Sequence, residues 1–160
     1  MASITIAGRD NDSTVQGMID RCHLVHRAGT LAELRAVLDG LPDGTGPVAL
    51  DLVGHSTRPA RMLRLDQTVI DMFDAKVDAF FRQLVADRVL ARLGVTSLRL
   101  LGCSTATLPP GQRTMQRLAR VLGVAVYGTT KPIMKSHYTH DGFNAAFGHL
   151  LVESAQLPLG

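Results

Sequence analysis

The chain has 160 residues, 46% hydrophobic and 19% charged, with a formal charge of +3 at neutral pH. That length suits one domain with a sizeable core, and that balance excludes an intrinsically disordered chain. Aromatic residues make up only 4% with no Trp, which argues against a base-stacking surface for nucleic acid, and no apolar stretch reaches the length of a membrane span.

Strand-like and helix-like patterns alternate along the chain. The opening residues carry no basic segment followed by a long apolar one, so no secretory leader is read there. Ile4-Thr5-Ile6-Ala7 ending on Gly8 predicts a first strand, and Ser13-Thr14-Val15-Gln16 has capping-box spacing for a short helix. Cys22-His23-Leu24-Val25-His26 reads as a short second strand. Thr30-Leu31-Ala32-Glu33 is a stronger capping box, opening a helix whose Leu31, Leu34, Val37, Leu38 and Leu41 form one apolar stripe. A turn cluster at residues 42–47 leads into a third strand at 48–53. Residues 58–71 are the least regular stretch, although Met62-Leu63-Arg64-Leu65 and Thr68-Val69-Ile70 suit the arms of a small hairpin.

A long helix is expected over 74–94, with Val77, Phe80, Phe81, Leu84 and Val85 buried and Gly94 as its left-handed cap. A fourth strand at 97–101 is followed by a turn through Pro109-Pro110-Gly111. Next come a helix bearing Met115, Leu118, Ala119 and Leu122, which ends at Gly123, and a fifth strand at 124–127. Residues 131–142 read as a loop or lid with Gly142 as a hinge, and Phe143, Phe147, Leu150 and Leu151 as the apolar side of a last helix. The alternation predicts a three-layer α/β/α fold around a mainly parallel sheet of five or six strands, covered by helices on both sides. Ligands in such a sheet bind beyond the carboxyl ends of the strands.

Chemistry concentrates at two of those ends. Leu50-Asp51-Leu52-Val53-Gly54-His55-Ser56 and Leu98-Arg99-Leu100-Leu101-Gly102-Cys103-Ser104 share one layout, an apolar run, a glycine and a reactive side chain, with His55 and Cys103 48 residues apart. If the runs are neighbouring parallel strands, about 4.8 Å apart, imidazole and thiol stand side by side as a candidate dyad. An imidazole can generate the thiolate that attacks and can then protonate a leaving amine. Backbone N–H groups near Cys103 and after His55 are placed to hold an oxyanion, and Gly54 and Gly102 let the chain turn without a side-chain clash.

The order and endings of these runs resemble the caspase-like cysteine peptidases, the group of caspases, gingipains and the self-processing protease domains of large bacterial toxins. Val53-Gly54-His55 and Leu101-Gly102-Cys103-Ser104 look most like the last of these. The family has its histidine after one strand, its cysteine after the next and a helix between them, so the resemblance covers residues 3–130. It implies a caspase-like fold over 1–160 and a cysteine endopeptidase acting on a peptide or protein substrate without a cofactor. Ser56 stands where the family has a glycine whose N–H serves the oxyanion hole. Arg58, Arg61 and Arg64 would meet an acidic side chain, as an arginine does in caspases, and Thr129 joins Arg58 and Arg61 among the substrate-binding candidates.

Other readings are open. Gly54-His55-Ser56-Thr57-Arg58 resembles a nucleophile elbow of a serine hydrolase, with Arg58 in place of its last glycine and Pro59 instead of a helix after it. A non-catalytic module binding a peptide or partner in the same groove is the other alternative. His137-Tyr138-Thr139-His140 with Asp141, and Cys22-His23 with His26, have metal-ligand types but no evident third ligand, and no phosphate-binding glycine loop follows the first strand. Two cysteines without a CxxC pair point to reduced thiols in the cytoplasm. Ser56, the irregular 58–71 and the polar 131–142 together suggest a groove completed by an activating partner, a ligand or self-association.

Overall fold

In the computed structural model, which describes residues 2–9 and 13–158, the expected apolar runs meet in the middle of one sheet. β1 (Ala2–Ala7), β2 (His26–Arg27), β3 (Val48–Val53), β6 (Val95–Leu101), β7 (Ala125–Thr129) and β10 (Leu151–Glu153) lie in the order β10-β7-β6-β3-β1-β2. All neighbours pair parallel except β10, which runs antiparallel to β7. At the centre Leu50 faces Leu98, Asp51 faces Arg99, Leu52 faces Leu100 and Val53 faces Leu101.

Alternation along the strands sends these side chains to two different layers. Leu50, Leu52, Leu98 and Leu100 pack into one cluster with residues of α2 (Leu31–Gly40), α3 (Ala75–Ala86), α4 (Val89–Leu93) and α5 (Pro109–Leu122). Val53 and Leu101 point the other way, onto Val15 and Met18 of α1 (Ser13–Ile19) and onto Ile133, Tyr138, Phe143 and Leu150. The fold is therefore α/β with a layer on each side of a six-stranded sheet. One layer holds the long helices, whereas α1 is the only α-helix among the described residues of the other.

Several elements differ from expectation for local reasons. The second strand starts only at His26, and residues 10–12, just before α1, lie outside the described residues. The helix of 74–94 is two helices, interrupted at Asp87 and at Arg88, which takes the left-handed region with φ 55°. This break leaves Val85 43% exposed rather than in the core. Gly94 does cap α4 in the left-handed region, at φ 74°. Pro109 and Pro110 open α5 instead of turning before it, because a proline in the first turn lacks only an N–H that no carbonyl awaits.

The C-terminal apolar spacing is not a helix. Phe143 belongs to a two-residue pairing of β8 (Tyr138–Thr139) with β9 (Gly142–Phe143), Phe147 to a 3₁₀ segment at Ala145–Leu150, and Leu151 to β10. Residues 131–142 are no free lid either. Ile133 and Tyr138 are buried, and a side chain at Gly142, whose φ is 109°, would meet Ser3 and Thr5 of β1.

Candidate functional site

The pairing of Val53 with Leu101 brings the two candidate residues to one edge, since each strand runs on through a glycine to its reactive side chain. Gly54 N–H still donates to the Leu101 carbonyl at 3.4 Å, so the two chains leave the sheet side by side. His55 then enters β4 (His55–Ser56), which pairs antiparallel with β5 (Leu63–Arg64), His55 opposite Arg64 and Ser56 opposite Leu63. The hairpin foreseen within 62–70 is also present, through a bridge between Arg64 and Val69, so β5 is paired on both sides. The stretch read as irregular is thus a formed wall.

Its tip is held closely. Thr57 N–H donates to the Met62 carbonyl at 2.8 Å, Arg61 N–H to the Thr57 carbonyl at 2.9 Å, and Met62 N–H to Thr57 Oγ1 at 3.1 Å. Ser56 Oγ donates to the Cys103 carbonyl at 2.6 Å, which ties this hairpin to the other strand end. The two glycines serve close approach and not a turn, because neither has a positive φ. A Cβ at Gly54 would overlap the Arg64 carbonyl oxygen, and one at Gly102 would lie 2.9 Å from Ser56 Oγ and 3.0 Å from Leu63 Cδ1.

His55 and Cys103 come together in one open cavity of about 560 Å³, with Ser56, Arg58, Arg61 and Arg64 around them. A second cavity of about 500 Å³ is also bounded by Arg58 and Arg61, and reaches Ser104, Thr107 and Leu108. Of the substrate-binding candidates, Arg58 and Arg61 are thus at the site. Thr129 is not: it is fully buried, behind Cys103. Its Oγ1 donates to the Gly102 carbonyl at 2.6 Å and accepts from Thr105 N–H at 3.0 Å, while Thr105 Oγ1 accepts from Thr129 N–H at 2.9 Å. These two threonines form a brace across the Gly102–Thr105 turn, and Thr129 lines neither cavity.

The brace also decides which backbone donors remain. N–H groups of Ser104, Thr105, Ala106 and Thr107 are engaged with Lys131 O, Thr129 Oγ1, Thr129 O and Ser104 O. Gly54 N–H, just before His55, is engaged with the Leu101 carbonyl. Ser56 is different. Antiparallel residues alternate between exchanging hydrogen bonds and not, and the Thr57–Met62 bond puts Ser56 at a non-bonded position, its N–H directed away from β5.

The other cysteine has a different setting. Cys22 packs beside the second-face core, and burial, with the charge of Asp51 added, pushes its thiol above the ordinary range. Asp51 is itself fully buried and binds Arg99 through two hydrogen bonds of 2.5 and 2.6 Å. Burial raises the Asp51 carboxyl, against the opposing pull of Arg99. Sequence reasoning missed this pair, although its signal is plain: the acid and the base occupy the same slot of the two matched runs.

No group of three or more His, Cys, Asp or Glu residues suited to a metal occurs among the described residues. His137 Nδ1 accepts the Met134 N–H at 2.9 Å, and His140, largely exposed, lies 3.4 Å from Asp141. Among the described residues no helix is long and apolar enough to cross a membrane. No family model and no curated protein matches this chain.

Proposed function

We propose that the chain is a cysteine endopeptidase of caspase-like type, with Cys103 as nucleophile and His55 as general acid and base. The observation that carries this reading is their shared cavity, at the carboxyl ends of adjacent parallel strands next to the point where the strand order reverses between β1 and β3. His55 takes the thiol proton of Cys103, and the sulfur bonds to the scissile carbonyl carbon. Charge developing on the carbonyl oxygen is met by strand-end N–H groups, that of Ser56 among them. The C–N bond then breaks and the amine leaves with the proton from His55. Water next gives a proton to His55 and bonds to the thioester carbon; the C–S bond breaks, and the sulfur recovers its proton from His55.

Two other residues are weaker nucleophiles. The Ser56 hydroxyl is committed to the Cys103 carbonyl and stands on a strand, not on a strand-to-helix elbow. Burial disfavours the thiolate of Cys22. A thiol-directed peptidyl electrophile should therefore label Cys103 and spare Cys22. Cys103→Ala should abolish peptide cleavage with the fold retained, and His55→Ala should slow it by about 10²–10⁴-fold. Labelling without cleavage under any condition would point to a peptide-binding module instead. Cleavage that survives Cys103→Ala but not Ser56→Ala would assign the chemistry to the serine.

A further inference from the structure

We infer that Ser56 is a positioning residue for the reaction, its hydroxyl fixing the backbone of Cys103 and so keeping the thiol aligned with His55. This inference rests on the reading of Cys103 as the nucleophile. The hydroxyl donates to the Cys103 carbonyl at 2.6 Å, near the short end for an O–H donor. Ser56 directly follows His55, so the bond joins the element that carries the imidazole to the residue that carries the thiol. Ser56 stands in place of the glycine of the caspase-like family, so the contact is made by a side chain that the resemblance does not supply.

A link is needed at this level because the two chains are parting. The bond from Gly54 N–H to the Leu101 carbonyl is already long, at 3.4 Å. Beyond it His55 and Ser56 pair with β5, while Gly102 to Thr105 turn over the threonine brace. Both peptide units that flank Cys103 are held by hydroxyls. Thr129 Oγ1, fully buried, donates to the Gly102 carbonyl at 2.6 Å, and Ser56 Oγ holds the Cys103 carbonyl from the cavity side. A residue has only two soft backbone dihedrals, so fixing the peptide plane on each side leaves Cys103 little freedom to turn. The next residue, Ser104, is held in the left-handed region at φ 59°.

The surroundings make room for this hydroxyl and keep it in place. Gly102 has no Cβ in its way, since a methyl there would lie 2.9 Å from Ser56 Oγ. Leu63, opposite Ser56 on β5, is buried and packs close to Gly102, so the hairpin sits tightly against the turn. Next to Ser56, the Thr57–Met62 hydrogen bond of 2.8 Å closes the hairpin. A rigid hairpin passes its position on to whatever it grips. Losing one neutral hydrogen bond at a half-buried residue leaves the fold standing, whereas a misplacement of about 1 Å at a reacting group can cost about 10²-fold in rate.

The test compares the full wild-type chain with Ser56→Ala and Ser56→Thr. Iodoacetamide, too small to depend on a substrate groove, reads the labelling rate of each cysteine, and a mixed fluorogenic peptide library reads cleavage. Ser56→Ala should slow Cys103 labelling and lower kcat by about tenfold or more, with KM changed by less than about twofold. Ser56→Thr keeps the hydroxyl and suits a strand, so it should recover most of both rates. Cys22 labelling should stay at its wild-type rate in both variants. Wild-type rates in Ser56→Ala would overturn the inference. So would a raised KM at unchanged kcat, which would place the hydroxyl on the substrate, or a faster Cys22, which would make the loss one of folding. A threonine variant as slow as the alanine one would also overturn it, because the hydroxyl would then not be the cause. The two readouts separate this inference from the one beneath it. Slower Cys103 labelling in Ser56→Ala, with no cleavage by any form, sinks the peptidase and leaves the positioning role. Cleavage that needs Cys103 but is indifferent to Ser56→Ala does the reverse.

Discussion

At the scale of single residues, the site depends on groups that never meet the solvent. Thr129 Oγ1 holds the Gly102 carbonyl and the Thr105 N–H at once, inside a fully buried pocket. Thr129→Val keeps the shape and removes both bonds, leaving a buried donor and acceptor unmatched, so it should cost about 1–3 kcal/mol in chemical denaturation. Labelling of Cys103 should slow in the same variant; unchanged stability would show that the brace carries no weight. Arg61 offers the opposite case. Its left-handed backbone costs about 1 kcal/mol in any residue with a Cβ, so Arg61→Gly should raise the melting temperature and Arg61→Ala should not. A wild-type Arg61 more stable than the glycine variant would mean its side chain contributes to the fold after all. His55 and Cys103 were readable because two strands repeat one layout. Thr129 was misassigned because its place at a strand end marks it as near the site, whereas its burial against the Gly102 carbonyl and the Thr105 N–H comes from tertiary packing.

At the scale of elements, what could be read was local and what could not was tertiary. Thr30 caps α2 as its spacing implies, accepting from Glu33 N–H at 3.1 Å while Glu33 accepts from Gly29 N–H at 2.9 Å. Asp74 likewise caps α3. The last segment misled because Phe143, Phe147, Leu150 and Leu151 have helical spacing, yet pairing with β7, remote in sequence, draws Leu151 into a strand. Helix α3 is tied to α5 by Asp78, which bonds Arg82 on its own helix and Arg117 on the other. Those bonds, from Arg82 first and Arg117 next, hold the Asp78 carboxyl below the usual carboxylate range. A depressed carboxyl stabilises the fold above its unfolded value of about 3.9 and loses that contribution as pH falls through the folded value. Asp78→Asn should therefore be less stable than wild type at neutral pH, with the two converging in acid. A gap that stays constant down to the acid limit would refute the ion-pair origin.

Across the whole molecule, one register sets both the core and the site. Asp51 opposite Arg99 and the exits to His55 and Cys103 belong to the same parallel pairing of β3 with β6, so the ion pair and the proposed dyad stand or fall with one alignment. A slip of one residue would turn every side chain of one strand to the opposite layer. Two devices resist it: the ion pair, and the rows Leu50–Leu98 and Leu52–Leu100 packed into the helical layer. Their weights can be told apart. Asp51→Leu alone strands the Arg99 guanidinium, whose side chain is only 17% exposed, and should cost about 3–5 kcal/mol. Asp51→Leu with Arg99→Leu removes both charges and extends the apolar surface around Val53, Leu101 and Phe143, so most of that stability should return. If the leucine rows suffice for register, the double variant also keeps electrophile labelling at Cys103. A double variant that is stable but no longer labelled would show that the buried pair, and not the hydrophobic alternation, holds the two reactive ends in line.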